Sequence, residues 1–385
     1  MKSCIYFDNA ATTKPFDIVC LTVSNTMQNQ FGNPSSLHGK GIEAERIVAD
    51  TRKKIAKTLS VKENSIVFMA SGTEINNFSI LGAAKQNIRS GKHIITTKTE
   101  HASIVKPITV LQNQGWQIDF IDVDSYGMIN LDMLEEKIRD DTVLIAFTHV
   151  NNENGIILPL EQIGKIKNQR NQRTILLVDS VQSYGKLMVT PQKCGVDILT
   201  LSAHKIHGPK GVAAMYLDSR IKIPPLLFGG GQEYGLRPGT ENVPGIAGFG
   251  VAAEKMHLEK SENYIKVAAI KEKFISVLRS SDLEFRLISK EKETSPYILT
   301  VAFANIKAEV LLHHLSQKQI YVSSGSACSS NTKNSKSHVL TAMGIEPQWI
   351  EGAIRFSFSA SNTAAEVDEA MEALLEIVPR IAYKL

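Results

Sequence analysis

An α/β architecture, with a large domain built on a mostly parallel mixed sheet flanked by helices and a smaller α+β domain, is what the sequence predicts, and three observations predict it. Short apolar runs alternate with helix-length segments for well over a hundred residues, the order that builds βαβ units. A long helical stretch then separates this region from a second, shorter set of strands and helices. Finally, 385 residues of which 43% are hydrophobic exceed one small domain and suffice for one large domain with a lesser companion. We divide the chain into residues 15–255 as the large domain, and residues 1–14 with 256–385 as the small one.

The bulk composition excludes several classes of function. A net charge of +4 from 43 basic and 39 acidic residues comes with no basic block or aromatic-interleaved basic stripe, so neither nucleic acid nor a membrane surface is the expected partner. Met1 to Pro15 holds Asp8, Asn9, Thr12, Thr13 and Lys14, which leaves no apolar signal core. No apolar run reaches the roughly 18 residues of a membrane span, and a cytoplasmic location is the default. Cys4, Cys20, Cys194 and Cys328 lie far apart, without C-x-x-C pairs or zinc-like Cys/His spacing, so thiols are expected and no metal site is.

In chain order, Ile5-Tyr6-Phe7 reads as a short strand entering the polar turn Asp8-Asn9-Ala10-Ala11-Thr12-Thr13. Phe31 to Gly39 is a loop dense in turn formers. A helix from about Gly41 to Leu59 follows, with Ile47, Val48, Ile55 and Leu59 on its apolar face. Ser65 to Met69 is a strand and Glu74 to about Arg89 a helix. Between them, Ala70-Ser71-Gly72-Thr73 presents free backbone N–H groups at a helix start, which suits phosphate and equally an ordinary cap. The strand His93 to Thr97 ends in Lys98-Thr99-Glu100-His101, whose imidazole is placed to stack on a flat ring or to serve structure. Val143 to Thr148 is the next strand and leads into His149-Val150-Asn151-Asn152-Glu153.

Ile175 to Val178 delivers Asp179, and the strand Asp197 to Leu201 delivers Ser202-Ala203-His204-Lys205. Strands of a parallel sheet end on one edge with neighbours about 5 Å apart, so Asp179 and Lys205 are expected to face one crevice. A lysine at a strand end that loses water loses part of its ammonium stability and becomes a nucleophile able to hold an aldehyde cofactor; a surface lysine in a Gly/Pro turn reads the same segment. Neither G-x-G-x-x-G nor G-x-x-x-x-G-K-[ST] occurs, which removes the usual support for a nucleotide.

Val212 to Leu217 is a strand, and the glycines of Phe228 to Gln232 and of Arg237-Pro238-Gly239 imply unusual backbone angles or close approach. A kinked or broken helical stretch from about Ile246 to Leu278 links the two domains. The smaller one has strands at Tyr297 to Phe303, Ile320 to Ser323 and Ile354 to Ser359, with helices near Glu309 to Gln317 and Ala364 to Val378. Thr363 and Glu366 form a capping box, and Val367, Met371, Leu374 and Val378 a core stripe. The polar segment Ser323 to about Ser337 carries Cys328 at its centre, an arrangement suited to delivering an ionisable thiol.

Together, Tyr6-Phe7-Asp8-Asn9-Ala10-Ala11-Thr12-Thr13, Gly32-Asn33-Pro34-Ser35-Ser36, Thr99-Glu100-His101, Val150-Asn151-Asn152-Glu153, Ser202-Ala203-His204-Lys205, Arg237-Pro238-Gly239-Thr240 and Ser323-Ser324-Gly325-Ser326-Ala327-Cys328 resemble the cysteine desulfurase family, the nitrogen-fixation and iron-sulfur assembly type of pyridoxal-phosphate enzyme. The resemblance runs along nearly the whole chain. It implies the fold-type-I, class V aminotransferase-like architecture, a homodimer, pyridoxal 5'-phosphate as cofactor and L-cysteine as substrate, with alanine and an enzyme persulfide as products. A sulfur-acceptor protein, either a cluster scaffold or a thiolation enzyme acting on transfer RNA or a cofactor, is the implied partner.

Residue by residue, the resemblance makes Lys205 the Schiff-base lysine and Asp179 the partner of the protonated pyridine nitrogen. It makes His101 the ring-stacking histidine, and Asn152 and Gln182 the polar contacts at the ring oxygen. Gly72, Thr73, Ser202 and His204 become the phosphate cup, and Thr240 the residue that reaches the phosphate of the neighbouring subunit. Arg355 becomes the clamp on the substrate carboxylate, with Asn152 beside it. Cys328 becomes the thiolate that attacks the substrate sulfur.

Two features depart from the family pattern. Ala70-Ser71-Gly72-Thr73 replaces the commoner Ser-Gly-Ala-Thr, and the sequence stops at Leu385 without the longer tail that helps relatives in housekeeping cluster assembly to dock their scaffold. The rival readings are selenocysteine lysis or transamination on the same cofactor, for which Cys328 is dispensable, and a non-catalytic platform for sulfur transfer.

Overall fold

The computed structural model describes residues 4–324 and 337–383. In chain order the elements are β1 (Ile5–Tyr6), α1 (Asp17–Asn29), α2 (Gly39–Leu59), β2 (Ile66–Met69), α3 (Gly72–Asn87), β3 (His93–Thr97), α4 (Ala102–Asn113), β4 (Gln117–Ile121), α5 (Leu131–Lys137), β5 (Thr142–Thr148), α6 (Leu160–Arg170), β6 (Ile175–Asp179), β7 (Ile198–Ser202) and β8 (Ala213–Leu217). They continue with α7 (Val243–Leu258), α8 (Lys260–Arg279), β9 (Phe285–Leu287), β10 (Ile298–Phe303), α9 (Ala308–Gln317), β11 (Ile320–Tyr321), β12 (Ser323–Ser324), α10 (His338–Ala342), α11 (Pro347–Glu351), β13 (Ala353–Ser357) and α12 (Ala364–Ile381).

Seven strands form the main sheet in the order β2-β8-β7-β6-β5-β3-β4. The pairs β3·β4, β3·β5, β5·β6 and β6·β7 are parallel, and β8 runs antiparallel to both of its neighbours. Successive residues of the central strands enter opposite cores, as the two-residue period of a strand requires. Ile145 and Phe147 of β5, Leu176 and Val178 of β6, and Leu199 and Leu201 of β7 pack on one side. Leu144, Ala146, Ile175, Leu177 and Ile198 pack on the other. Burial of both faces explains why these runs are apolar throughout, and it leaves the carboxyl ends of the parallel strands as the exit for polar groups.

A second core gathers Phe7, Phe274, Phe303, Phe356 and Phe358 with α8, α9, α12 and the antiparallel sheet β12-β13-β10-β9. The Phe7 ring meets those of Phe358 and Phe274 edge-on at 5.2 and 6.4 Å, a favoured aromatic geometry. The amino-terminal segment therefore belongs to the packing of the carboxy-terminal region, and β1 pairs in parallel with β11.

Several expected elements are altered. Helix α1 and β9 are absent from the sequence reading, as are α4, β4, α5, α6, α10 and α11. On α1, Ile18, Leu21 and Met27 are exposed while Val19 and Thr26 are buried, so no inward apolar stripe announces it. The strand expected over Ile320 to Ser323 is two short pieces, β11 and β12, that join different sheets. The helical stretch from Ile246 is broken, as expected, and the break falls at Glu259, which ends α7 and opens α8. Helix α3 starts two residues early, at Gly72, because Ser71 caps it by accepting the Glu74 N–H at 3.1 Å. In α12 the Thr363/Glu366 capping box forms, and Val367, Met371, Leu374 and Val378 are buried, but the helix runs on across Pro379 to Ile381. Among the described residues, no helix is long and apolar enough to cross a membrane.

Candidate active site

A cavity of about 410 Å³ opens at the carboxyl edge of β6 and β7, lined by Gly72, Thr73, His101, Asn152, Asp179, Gln182, Ser202, His204, Lys205 and Arg355 among others. The crevice expected between Asp179 and Lys205 is thus one space. Thr240 lies elsewhere, in a separate cavity of about 170 Å³ that it shares with Arg237 and Gly239. Cys328 falls outside the described residues.

Asp179 ends β6 and is only 5% exposed. Its Oδ2 accepts from Asn76 Nδ2 at 2.8 Å and its Oδ1 from the Val181 N–H at 2.9 Å. Asn76, on α3, is held in turn by the Thr200 hydroxyl at 2.7 Å and donates to Ser103 Oγ at 2.8 Å. Sequence reasoning missed Asn76, although a fully buried amide on an otherwise apolar helix face needs partners. These neutral donors fix the carboxylate and leave it in the cavity wall.

His101 is the N-cap of α4, where its Nδ1 accepts the Ser103 N–H at 3.2 Å. Burial lowers its pKa against the opposing pull of Asp179, and Lys205 and His338 add to the lowering, so the imidazole is neutral near pH 7. The histidine thus caps a helix and lines the cavity. The preceding residue, Glu100, is wholly buried: Oε2 accepts from the Thr148 N–H at 2.7 Å and its hydroxyl at 2.6 Å, and Oε1 from the Thr97 hydroxyl at 2.8 Å. Burial pushes its carboxyl up to about 7.

Lys205 closes the single helical turn Ala203–Lys205 after β7. The turn is tight because Gly208 donates to the Ala203 carbonyl at 2.9 Å, and a Cβ at Gly208 would sit 2.8 Å from that oxygen. Lys205 Nζ donates to the carbonyls of Ala10 and Ala11 at 2.6 and 2.8 Å. The polar turn Asp8 to Thr13 therefore lies across the Ala203–Lys205 turn as a strap. Thr13 donates from N–H and hydroxyl to the His204 carbonyl at 2.9 and 3.0 Å, and His204 Nδ1 lies 3.1 Å from Thr12 Oγ1. Burial, with Lys205, Lys210 and Lys186 nearby, pushes the His204 imidazole down to about 4. Gln182 Nε2 also donates to the Ala10 carbonyl, at 2.8 Å.

Arg355 comes to the cavity from far along the chain. It sits mid-strand in β13, 6% exposed, with Nη1 on the Asn152 carbonyl at 2.8 Å and Nη2 on Asp8 Oδ1 at 3.0 Å. Its Nε is buried without a hydrogen-bond partner among the described residues. Asp8 was read only as part of a polar turn, because its partner is remote in sequence. The donor set suits a flat heterocycle bearing an anionic group. A carboxylate stands fixed in the wall, and a helix start and the Ser202 hydroxyl are placed for phosphate. A primary amine and a guanidinium complete it. Among the described residues, no group of three or more His, Cys, Asp or Glu is placed to hold a metal.

Comparison with known proteins agrees with this geometry. The family model described as aminotransferase class-V matches residues 5–370. "Cysteine desulfurase IscS 1" of Archaeoglobus fulgidus is 38% identical over 376 residues, covering 98% of this chain and 97% of the relative. The solved structure titled "NIFS-LIKE PROTEIN" superposes with a TM-score of 0.92 at 37% identity, covering 98% of this chain and all of that one. A structure titled "SspA in complex with cysteine" has a TM-score of 0.81 at 32% identity, covering 93% and 100% of the two chains.

Proposed function

This chain belongs to the class-V aminotransferase family and, within it, to the cysteine desulfurases, and from that premise we propose that it takes sulfur from L-cysteine, releasing L-alanine and holding the sulfur as a persulfide on Cys328. The observation that carries the reading is the convergence of Lys205, Asp179, His101 and Arg355 on one cavity. We read pyridoxal 5'-phosphate as the resident cofactor, and the cavity's residues fit it.

When bound, the cofactor supplies an aldehyde carbon that captures amines and a ring that draws off the electrons of a broken bond. Lys205 is the amine that would tether it and would take the substrate α-proton at Nζ. Asp179, its carboxylate aligned by Asn76 and the Val181 N–H, would keep a proton on the ring nitrogen. His101, neutral by burial, would cover the ring. The Gly72 and Thr73 N–H groups at the start of α3, with Ser202 and His204, would hold the phosphate, where helix dipole and free amides favour an anion. Asn152 and Gln182 would hold the ring oxygen. Arg355 would hold the substrate carboxylate. Cys328, as thiolate, would bond to the substrate sulfur as the C–S bond breaks, that bond's electron pair staying with the carbon, which takes a proton and leaves as the methyl of alanine.

We further read the protein as a homodimer, a reading supported by exposed Ile18, Leu21, Met27, Phe31 and Leu37 on and beyond α1, with Thr240 reaching the phosphate of the neighbouring subunit. In this reading residues 15–255 carry the cofactor, and residues 1–14 with 256–385 carry Cys328. The free thiols of Cys4, Cys20 and Cys194 suit a reducing, cytoplasmic setting, and iron-sulfur assembly or thiolation is the proposed destination of the sulfur. Purified holoenzyme given L-cysteine and a reductant should release alanine and sulfide in equal amounts. Cys328→Ala should keep the cofactor's yellow colour and lose sulfide release; undiminished release would remove the persulfide from the scheme.

A further inference from the structure

A second cavity, of about 440 Å³, begins where the strap ends, at Thr13, and is bounded by the first turns of α8 and by the segment after β13. It shares no lining residue with the active-site cavity. Lys186 reaches into its wall from the turns after β6 and is 4% exposed. Its Nζ lies 5.3 Å from the centre of the Tyr297 ring and donates to Gln182 Oε1 at a long 3.4 Å. No carboxylate pairs with it among the described residues. Burial pushes the ammonium down to about 7, with Lys205 and Arg355 pushing the same way. Tyr297 lines the same cavity, and its hydroxyl is buried without a hydrogen-bond partner among the described residues. A buried cation without an anion and a buried donor without an acceptor each cost free energy. One carboxylate, with two oxygens, answers both.

We propose that this cavity is a second binding site, for a small monocarboxylate with an apolar body, whose carboxylate is held by Lys186 and Tyr297 and whose body lies against Phe16, Met256 and Phe358. Phe16 is fixed for such a contact by stacking on His207 with ring centres 4.5 Å apart, and Met256 and Phe358 are buried core residues that show one edge to the space. The exposed rim sets Asp17 and Glu262 against Lys14 and Lys266. That balance offers a polyanion no surplus of positive charge, so the single buried cation selects a single negative charge. The site needs neither the cofactor nor Cys328. It adjoins the active site at one side chain, since Gln182, the acceptor for Lys186, lines the other cavity.

The probe is 4-bromobenzoate, soaked into crystals of the holoenzyme, where the anomalous signal of bromine locates it, and titrated by calorimetry in solution. The expected result is a bromine peak among Phe16, Met256 and Phe358 with the carboxylate at Lys186. Lys186→Met should weaken binding about tenfold and Tyr297→Phe about fivefold, with cofactor absorbance unchanged. Tyr297→Phe keeps the ring beneath Lys186 and removes only the hydroxyl, so it serves even where Lys186→Met folds poorly. Bromine found only in the active-site cavity beside Arg355, or an affinity that neither substitution changes, would overturn the site. So would a peak without heat in solution, which is binding at crystal concentration only. Sulfide release from L-cysteine by the same preparation tests the desulfurase reading separately.

Discussion

Two aspartates line the same cavity, and the walls that hold them are built on different principles. Asp179 ends a central strand and takes its hydrogen bonds from neutral groups, the Asn76 amide and the Val181 N–H. Asp8 lies on an irregular strap and takes its bond from a charged one, Arg355. A carboxylate held by neutral donors keeps its full charge for whatever stands before it. A carboxylate paired with a guanidinium shares that charge, and the share changes when a third charged group arrives. The difference sets a carboxylate whose partners are fixed and neutral against one whose partner is itself a charge.

The sharpest way to break the comparison is Asp179→Asn. This change keeps shape and removes charge, and a fall in kcat/KM on the order of 10²–10³ is expected, as for loss of one preorganised electrostatic contact. A fall of less than tenfold, from steady-state rates with saturating cofactor, would put the Asp179 wall on a level with a surface position.

Glu100 sharpens the same contrast on the neutral side, because all its partners are threonine groups. Its carboxyl titrates near about 7 in the fold and near 4.3 when unfolded. The folded state thus binds the proton more tightly, and the stability this gives is complete below the unfolded value and is lost as pH rises through about 7. Glu100→Gln, with its amide facing Thr97 and its oxygen facing Thr148, removes the loss. Chemical denaturation from pH 5 to 8 should show the parent falling, by on the order of 3 kcal/mol at most, and the variant staying flat. Parallel curves would mean that Glu100 is ionised throughout.

The smallest effect lies far from both walls. Thr363→Ala should cost about 1 kcal/mol through loss of the capping box on α12, read as a lower unfolding midpoint with unchanged sulfide release. A loss of activity at full occupancy of the fold would mean that α12 communicates with the cavity.

How much of this was legible in the sequence follows the same division. The neutral wall was readable because parallel strands deliver their last residues to one edge, so Asp179 and Lys205 could be paired from local patterns alone. Asn76, which aligns Asp179, was not, because a helix position betrays its depth only once the sheet beneath it exists. The strap read as a polar turn, since its hydrogen bonds go to Ser357 and His204, and no local periodicity encodes contacts of that span. Arg355 was placed by the family's motif, whereas the Asp8 that engages it was passed over. Helix α1 escaped for the opposite reason: Ile18, Leu21 and Met27 are exposed while Val19 is buried, so the contrast that marks a buried stripe is missing.

The strap joins the first residues of the chain to β13, almost at the other end. A ribosome making this protein thus releases Asp8 to Thr13 long before Ser357 exists to receive them, while the strands of the large sheet can pair as they emerge. Synthesis and assembly run in opposite order here, since Asn9 waits for a Ser357 partner made 348 residues later. A nascent chain halted before β13 would hold the strap by its bonds to Gln182, His204 and Lys205.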